Sequence, residues 1–452
     1  MRRACRRSGQ ARRTGTRLGL AIVVAVVGAG CRSRGSADVV EFWALGREGE
    51  VVQQLVPEFE RRHPGVRVRV QQVPWNAARE KLLTAYVGDA MPDVLQIGNT
   101  WIAEFVALGA LAPLDDRLGA AADELFPGIL ETNRIDGVLY GVPWYVDTRL
   151  LFYRSDLLAS AGFPSPPSTW SEWRTAMERL REQRAEPAIL LPLEEWQALV
   201  ILALQHGATL LRDDDTRGDF RSPAFASAFA SYLDLFRRDL APKGSAARAV
   251  HLFQGFGAGE FAIFVSGPWN LGELARRLPK ELAESWATAP MPALEGAGPG
   301  PSLAGGASLV LTRGSARADA AWQWISYLTE AATQVDFYRR TGDLPSTRSA
   351  WTSSGLASEP RVQAFWRQLE NVRGTPKIPE WERIADEVGR HAEVAIRGDV
   401  TREEALASLD AEVDEILAKR RWLRSREAGA VTSASPAEAV PSPREEPTAG
   451  AR

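Results

Sequence analysis

Cysteine is nearly absent from this chain of 452 residues, which has two, Cys5 and Cys31. Neither lies in the long body of the sequence, so that body holds no internal disulfide and no zinc site of cysteine spacing. Its stability must come from a packed core. Histidine is also scarce: His63, His206, His251 and His391 are the four present, and their scatter gives none a catalytic partner motif. The acidic run Asp213, Asp214, Asp215 lacks the glycine and distal glutamate of a calcium loop and reads as an exposed turn. Enzyme signatures are missing too: there is no GxSxG, no HExxH, no GxxxxGK[ST], and no GxGxxG following a strand. No cofactor and no metal is expected.

Dense basic sequence is confined to the first thirty residues, which hold seven arginines and no acid. An apolar run from Leu18 to Val27 follows, closed by Gly28, Ala29, Gly30 and Cys31. A charged head, a short apolar core and small residues make the pattern of an export leader, and the run is too short to cross a bilayer core of roughly 30 Å as a helix. Residues 1–30 are therefore expected to be a lipoprotein signal peptide, with Cys31 lipidated and residues 31–37 as a linker. This places the protein outside the cytoplasm, periplasmic or at the cell surface, held at the membrane by its lipid. An ordinary leader with an incidental cysteine and a short stop-anchor are the other readings, and Gly28 stands where such leaders usually carry leucine. Arg12 and Arg13 permit a twin-arginine route. Losing the seven arginines takes the formal net charge from −3 to −10. Later arginines are interspersed with acids, and the run Arg420, Arg421, Arg424 reads as a solvated helix end, so no nucleic-acid partner is expected.

With 45% hydrophobic residues, an ordered body of roughly 390 residues exceeds the usual single-domain size and should divide in two. Residues 38 to 112 alternate strand and helix signals. Val39 to Trp43 is a short strand, Val51, Leu55 and Phe59 mark one helical face, and His63, Pro64 and Gly65 stop it. Val66, Val68 and Val70 alternate with arginines as a half-wet strand, a helix passes through Leu82, Leu83 and Tyr86, and Asp93 to Ile97 forms another strand. This rhythm predicts a parallel sheet. A second region, about 150 to 300, carries helices at Trp170 to Gln183 and Glu195 to His206 and a strand at Phe261 to Val265. After the Gly/Pro-rich loop Pro290 to Gly306, a strand at Ser308 to Thr312 and a helix at Ala320 to Leu328 resume the first rhythm. Thr401 and Glu404 form a capping box before the apolar face Ala405, Leu409, Val413, Ile416. Residues 427–452, rich in Ala, Ser, Pro and Glu without periodicity, are expected to be a disordered tail.

Tryptophan is the abundance that stands out, at fifteen residues. Several sit where a strand ends or a loop begins: Trp43, Trp75 after Pro74, Trp101, Trp144 with Tyr145 after Pro143, and Trp269 after Gly267 and Pro268. Ligands of open α/β sheets bind beyond the carboxyl ends of strands, which makes these cleft positions. An aromatic ring offers an apolar face to the C–H side of a sugar, while carboxylates and amides take its hydroxyls. Trp170, Trp173, Trp322 and Trp324 lie within helices and lean to the core.

The segment YGVPWYVDTRLLFYRSDL, Tyr140 to Leu157, resembles the extracellular solute-binding proteins of sugar-type ABC importers. MPDVLQIGNTWIAEFVALGALAPLDD (Met91 to Asp116), FAIFVSGPWN (Phe261 to Asn270) and GDVTREEALASLDAEVDEIL (Gly398 to Leu417) resemble further motifs of that family, in the expected order, over about residues 38 to 424. The resemblance implies an α/β, two-lobed periplasmic-binding-protein fold, with ligand held between lobes and a hinge that closes on it. It implies crossovers near Asp147 to Leu150, Ala304 to Gly306 and Leu344 to Ser346. Lobe 1 would be 38–148 plus 304–345, and lobe 2 149–303 plus 346–424. By motif position, Trp43, Arg47, Trp75, Asn99, Thr100 and Trp101 would come from the first lobe, Tyr145 and Asp147 from its edge, and Trp196, Trp269 and Trp381 from the second. Asp147 would accept sugar hydroxyls or satisfy the hinge backbone, and Arg47 would meet a hydroxyl, an anionic group or merely Glu48. The implied partners are a small sugar and the permease subunits of the transporter, with the receptor acting as a monomer and making or breaking no bond. A surface-anchored glycoside hydrolase is the competing class, since tryptophans and carboxylates also build such clefts. A polyol phosphate or a polyamine would keep the fold and change the cargo.

Overall fold

The computed structural model describes residues 37–433 apart from 194, 245–250 and 297. The expected leader and Cys31 lie outside the described residues. Two main sheets are built from ten strands, in chain order β1 (Asp38–Leu45), β2 (Val66–Val73), β3 (Val94–Gly98), β4 (Gly141–Asp147), β5 (Leu150–Arg154), β6 (Ile189–Leu190), β7 (Ile263–Ser266), β8 (Trp286–Ala289), β9 (Gly305–Leu311) and β10 (Leu344–Pro345). The first sheet has the order β10-β4-β9-β3-β1-β2 and the second β8-β5-β7-β6, one in each lobe.

The first three strands pair in parallel, as their alternation with helices predicts. β1 aligns with β2 from Asp38 opposite Val66 to Leu45 opposite Val73, and with β3 at Phe42 and Val94. The sheet as a whole is mixed: β9 returns from the second lobe and enters antiparallel to both β3 and β4. The chain first changes sheet at Thr148 and Arg149. It comes back at Ala304, just after Leu303 pairs with Arg373, and leaves again after β10. Three connections therefore lie side by side between the lobes.

Each lobe has its own core. Phe42, Phe59, Trp144, Trp324 and Leu309 fill the first; Trp173, Phe229, Trp381 and Leu409 belong to the second. A further cluster joins Phe152, Phe264 and Phe365 to Phe126 and Trp351 beneath the connections. Trp173 and Trp324 are fully buried, while Trp170 and Trp322 pack at the edges of these cores. The capping box at Thr401 is formed, and Ala405, Leu409 and Val413 are buried behind it.

Three expectations need correction. Val51, Leu55 and Phe59 are all buried, but the helix is broken: Val51 lies on Gly46–Val52, Phe59 on Val56–Arg62 and Leu55 in the turn between, because Pro57 begins a new helix where it has no amide to give to the old one. Trp144 is a core residue, stacked on Phe337 at 4.5 Å: β4 bulges against β9 here, with Pro143 and Tyr145 paired and Trp144 the extra residue between them, and its ring is enclosed in the first lobe's core. The last helix, Ala418–Ser433, runs into the stretch expected to be disordered; the remainder, 434–452, lies outside the described residues.

Gln334 is almost fully buried and ties the third connection to β4. Its Nε2 donates to the Trp144 carbonyl (2.9 Å) and the Ser346 hydroxyl (2.7 Å), while its Oε1 accepts from the Thr347 amide (3.1 Å) and hydroxyl (2.9 Å). Gln334→Leu strands these partners in a dry site and is expected to lower unfolding free energy by about 2–4 kcal/mol. Urea denaturation of the variant checks this.

Candidate functional site

A cavity of about 580 Å³ opens between the lobes. Helix starts and connections supply its wall, because these are the places where side chains project past the ends of strands instead of into a layer. From the first lobe come Arg47 and Glu48, directly after β1; Trp75, which opens the helix Trp75–Val87 after β2; and Asn99, Thr100 and Trp101, directly after β3. Tyr145 and Asp147 end β4, and Arg149 follows in the connection. Trp196, Gln197, Trp269 and Glu382 face them from helix starts of the second lobe, with the backbone of Leu303 to Gly306 as the floor.

Nine of the eleven residues expected to touch ligand are therefore gathered at one cavity. Trp43 and Trp381 are not on its wall. Trp43 lies within β1 under the Lys81 ammonium, 4.8 Å from its ring centre, and packs in the same small cluster as Trp101. Trp381 is fully buried behind Trp196, edge-on at 5.5 Å. The reasons differ: Trp381 is enclosed in its own lobe's core, while Trp43, half-buried, packs beside Trp101 and under Lys81 within the sheet layer. Glu48, Arg149, Gln197, Asp343, Thr375 and Glu382 line the cavity without having been singled out from the sequence. Adjacency to Arg47 and Trp381 is the one signal that could have found Glu48 and Glu382; Asp343 has none nearby.

The aromatic rings are held in definite poses. Trp75 and Trp101 meet edge to face at 5.8 Å. Gly46 has φ +54°, and a Cβ there would lie 2.4 Å from Trp75 Cδ1 and 2.8 Å from Glu48 Oε2, so only glycine lets the chain turn beneath both. A Cβ on Gly267 would lie 2.0 Å from Trp269 Cζ3; the indole leans on bare backbone. Asn99, buried, donates to the Ala304 carbonyl at 2.9 Å and to Thr132 at 3.1 Å, so it fastens the floor more than it faces ligand. Arg47 reaches the Arg340 carbonyl at 2.9 Å.

Carboxylates dominate the electrostatics. Glu48 accepts from the Tyr145 hydroxyl at 3.0 Å; burial raises its pKa, against the hydrogen bonds from Tyr145 and Trp75 and the charge of Arg47. Asp147 is raised by burial, opposed by Arg149 at 2.6 Å. Glu382 is raised by burial, opposed by a hydrogen bond with Thr100 and the charge of Arg79. Asp343 is pushed up to about 8 by burial and then by the charge of Glu48. The same burial and charges hold the Tyr145 hydroxyl protonated well above its usual range. Among the described residues, Gln197 Oε1 and Glu382 Oε1 are buried oxygens with no hydrogen-bond partner, both on side chains of the cavity wall. Flat apolar faces, several strong acceptors and oriented amides are the means of binding a polyhydroxylated molecule.

Residues 43–335 match the model of the family described as bacterial extracellular solute-binding protein. The structure of the sugar-binding protein MalE from Xanthomonas citri is 43% identical, superposes with a TM-score of 0.82, and is matched over 86% of this chain and 99% of its own. The GacH receptor of Streptomyces glaucescens, solved unliganded and with acarbose, is 25% identical with a TM-score of 0.74 over 84% of this chain and 98% of its own. The diacetylchitobiose binding protein DasA of Streptomyces coelicolor is 24% identical over 336 residues, 74% of this chain and 78% of its own. These relatives are binding proteins rather than enzymes.

Two predictions follow from the site itself. An Asp343 carboxyl that binds its proton more tightly folded than unfolded favours the folded state at low pH, and that contribution is lost as pH rises from about 4 through about 8. Asp343→Asn mimics the protonated form, so its melting temperature should exceed that of the unaltered chain by a few degrees at pH 8.5, with the gap closing towards pH 4; melting curves across that window read it directly. Gly267→Ala pushes the Trp269 ring aside without opening a cavity, so it should shift the intrinsic fluorescence while leaving the melting temperature within about 2 °C.

Proposed function

The chain belongs to the family of bacterial extracellular solute-binding proteins, and from that premise we propose that it captures a sugar or oligosaccharide by hinge closure and delivers it to the permease of an ABC importer. The observation that carries this reading is the composition of the cavity: aromatic faces and buried hydrogen-bond acceptors come from both lobes. A solute that touches both lobes binds the closed form more tightly than the open one, which is the condition for binding to drive closure. Trp75 and Trp101 on one side and Trp196 and Trp269 on the other would stack on pyranose faces, while Glu48, Asp147, Asp343 and Glu382 accept from hydroxyls. The 43% identical MalE points the same way. No bond is made or broken in this reading.

A phosphorylated polyol fits less well. It would meet four acidic side chains, while Arg149 is committed to Asp147 and Arg47 to a backbone carbonyl. On the same reading the lobes are 38–148 with 304–345 and 149–303 with 346–424. Residues 1–30 are assigned to an export leader, with a lipid on Cys31 tethering a monomeric receptor to the membrane. The family is extracellular, and among the described residues no helix is long and apolar enough to cross a membrane.

Isothermal titration of the chain from Ser36 onward against mono- and oligosaccharides, with a polyamine and a polyol phosphate for comparison and product analysis of each mixture, tests the proposal. One sugar should bind saturably and be recovered intact, with affinity reduced at least about tenfold by Trp269→Ala and by Asp147→Ala. Cleaved product would promote a surface hydrolase in its place, and binding confined to the polyamine or polyol phosphate would change the cargo.

A further inference from the structure

We propose that Arg149 is the positioning residue of this cavity: one guanidinium fixes both the Asp147 carboxylate and the Trp269 indole, so that two groups from opposite lobes are set for ligand together. The inference deepens the transport reading and rests on it for the ligand, but its geometry stands alone.

Arg149 occupies the first connection, between the end of β4 in one lobe and the start of β5 in the other. Its carbonyl accepts from the Ser302 hydroxyl at 2.6 Å, which pins this connection to the chain entering the second. Its Nη1 donates to Asp147 Oδ1 at 2.6 Å, and its guanidinium carbon lies 4.5 Å from the centre of the Trp269 ring. The Arg149 and Asp147 side chains are each about one-fifth exposed, so water screens the pair only partly. A planar guanidinium can stack on an indole and donate in its own plane at once; an ammonium cannot do both with the same geometry.

Without Arg149 each partner would lose a restraint. Trp269 is a large apolar side chain that remains 39% exposed, resting on Gly267 with no side chain beneath it. Asp147 is buried, which raises its carboxyl. Glu48 and Arg47 face the acidic cluster from the helix after β1, Tyr145 from β4 itself and Asp343 from the turn before β10, while Arg149 is the cation that contacts Asp147 directly. Removing it leaves burial to raise the Asp147 carboxyl unopposed, and a protonated carboxyl is a poorer acceptor for a hydroxyl.

The test uses the chain from Ser36 onward, with Arg149→Gln and Arg149→Lys, and begins without ligand. Carbon NMR titration of the Asp147 carboxyl and the indole N–H resonance of Trp269 report the two restraints separately. Arg149→Gln should raise the Asp147 midpoint by about one pH unit or more and move the Trp269 resonance. Arg149→Lys should restore the midpoint and leave the indole displaced, a split that general unfolding would not produce. Binding is then measured with maltose. Arg149→Gln should weaken it at least about tenfold, by a ratio to the unaltered chain that grows from pH 8 to pH 5, and Asp147→Asn/Arg149→Gln should lose that growth. An unchanged Asp147 midpoint together with an unchanged Trp269 resonance overturns the proposal. So does maltose affinity that Arg149→Gln leaves intact. Failure of the unaltered chain to bind any sugar of the panel counts instead against the transport reading, and the two resonances then decide the role of Arg149.

Discussion

A buried glutamine holds the first lobe's half of the cavity in register. Gln96, fully buried in β3, accepts from the Leu45 amide at 2.7 Å and donates to the Tyr145 hydroxyl at 3.1 Å, and Tyr145 in turn donates to Glu48. β1, β3 and β4 are joined through side chains at the place where their backbones give way to the cleft. Every group in this chain has its partner, which is the condition under which a polar network inside a protein rigidifies instead of weakening it. Glu48 is thus fixed from behind by the sheet, and the helix that carries it can present Arg47 and Glu48 to the cavity without swinging.

The second lobe relies on aromatic packing for the same end. Trp381 is locked in its core and its edge meets Trp196, so the outer ring takes its pose from the inner one. The two lobes therefore bring different kinds of rigidity to one site: hydrogen-bonded acceptors mainly from the first, ring faces braced by core or backbone from the second. In the proposed closure, the three side-by-side connections are where these halves would hinge, each keeping its own arrangement.

Much of this was legible in the sequence, for a definite reason. Trp75, Trp101 and Trp269 follow strands or the turns after them, and such positions project beyond the sheet whatever the packing of the layers. The misses also have physical causes. Trp43 lies within β1, two residues short of its end, where helices cover the sheet. Trp381 and Glu382 are neighbours on a helix, and one residue turns the side chain by about 100°, so the aromatic goes to the core and the acid to the cleft. Asp343 reaches the site through β10, which pairs with β4 across about two hundred residues, and no local pattern reports such a return. Arg149 reads as an ordinary charge between two strands until Asp147 and Trp269 are seen on either side of it.

The mixed first sheet carries a consequence for how the chain comes into being. β9 separates β3 from β4, yet it follows them in sequence by well over a hundred residues, with the body of the second lobe between. During synthesis the strands on either side of that gap must wait for their central member, held apart with their edges unpaired, until residue 311 has emerged. Long-range pairing of this kind is slow to nucleate, because the loop must close before any ladder bond rewards it. A nascent chain of this design stays open until late, and its first lobe becomes foldable only once most of the polypeptide exists.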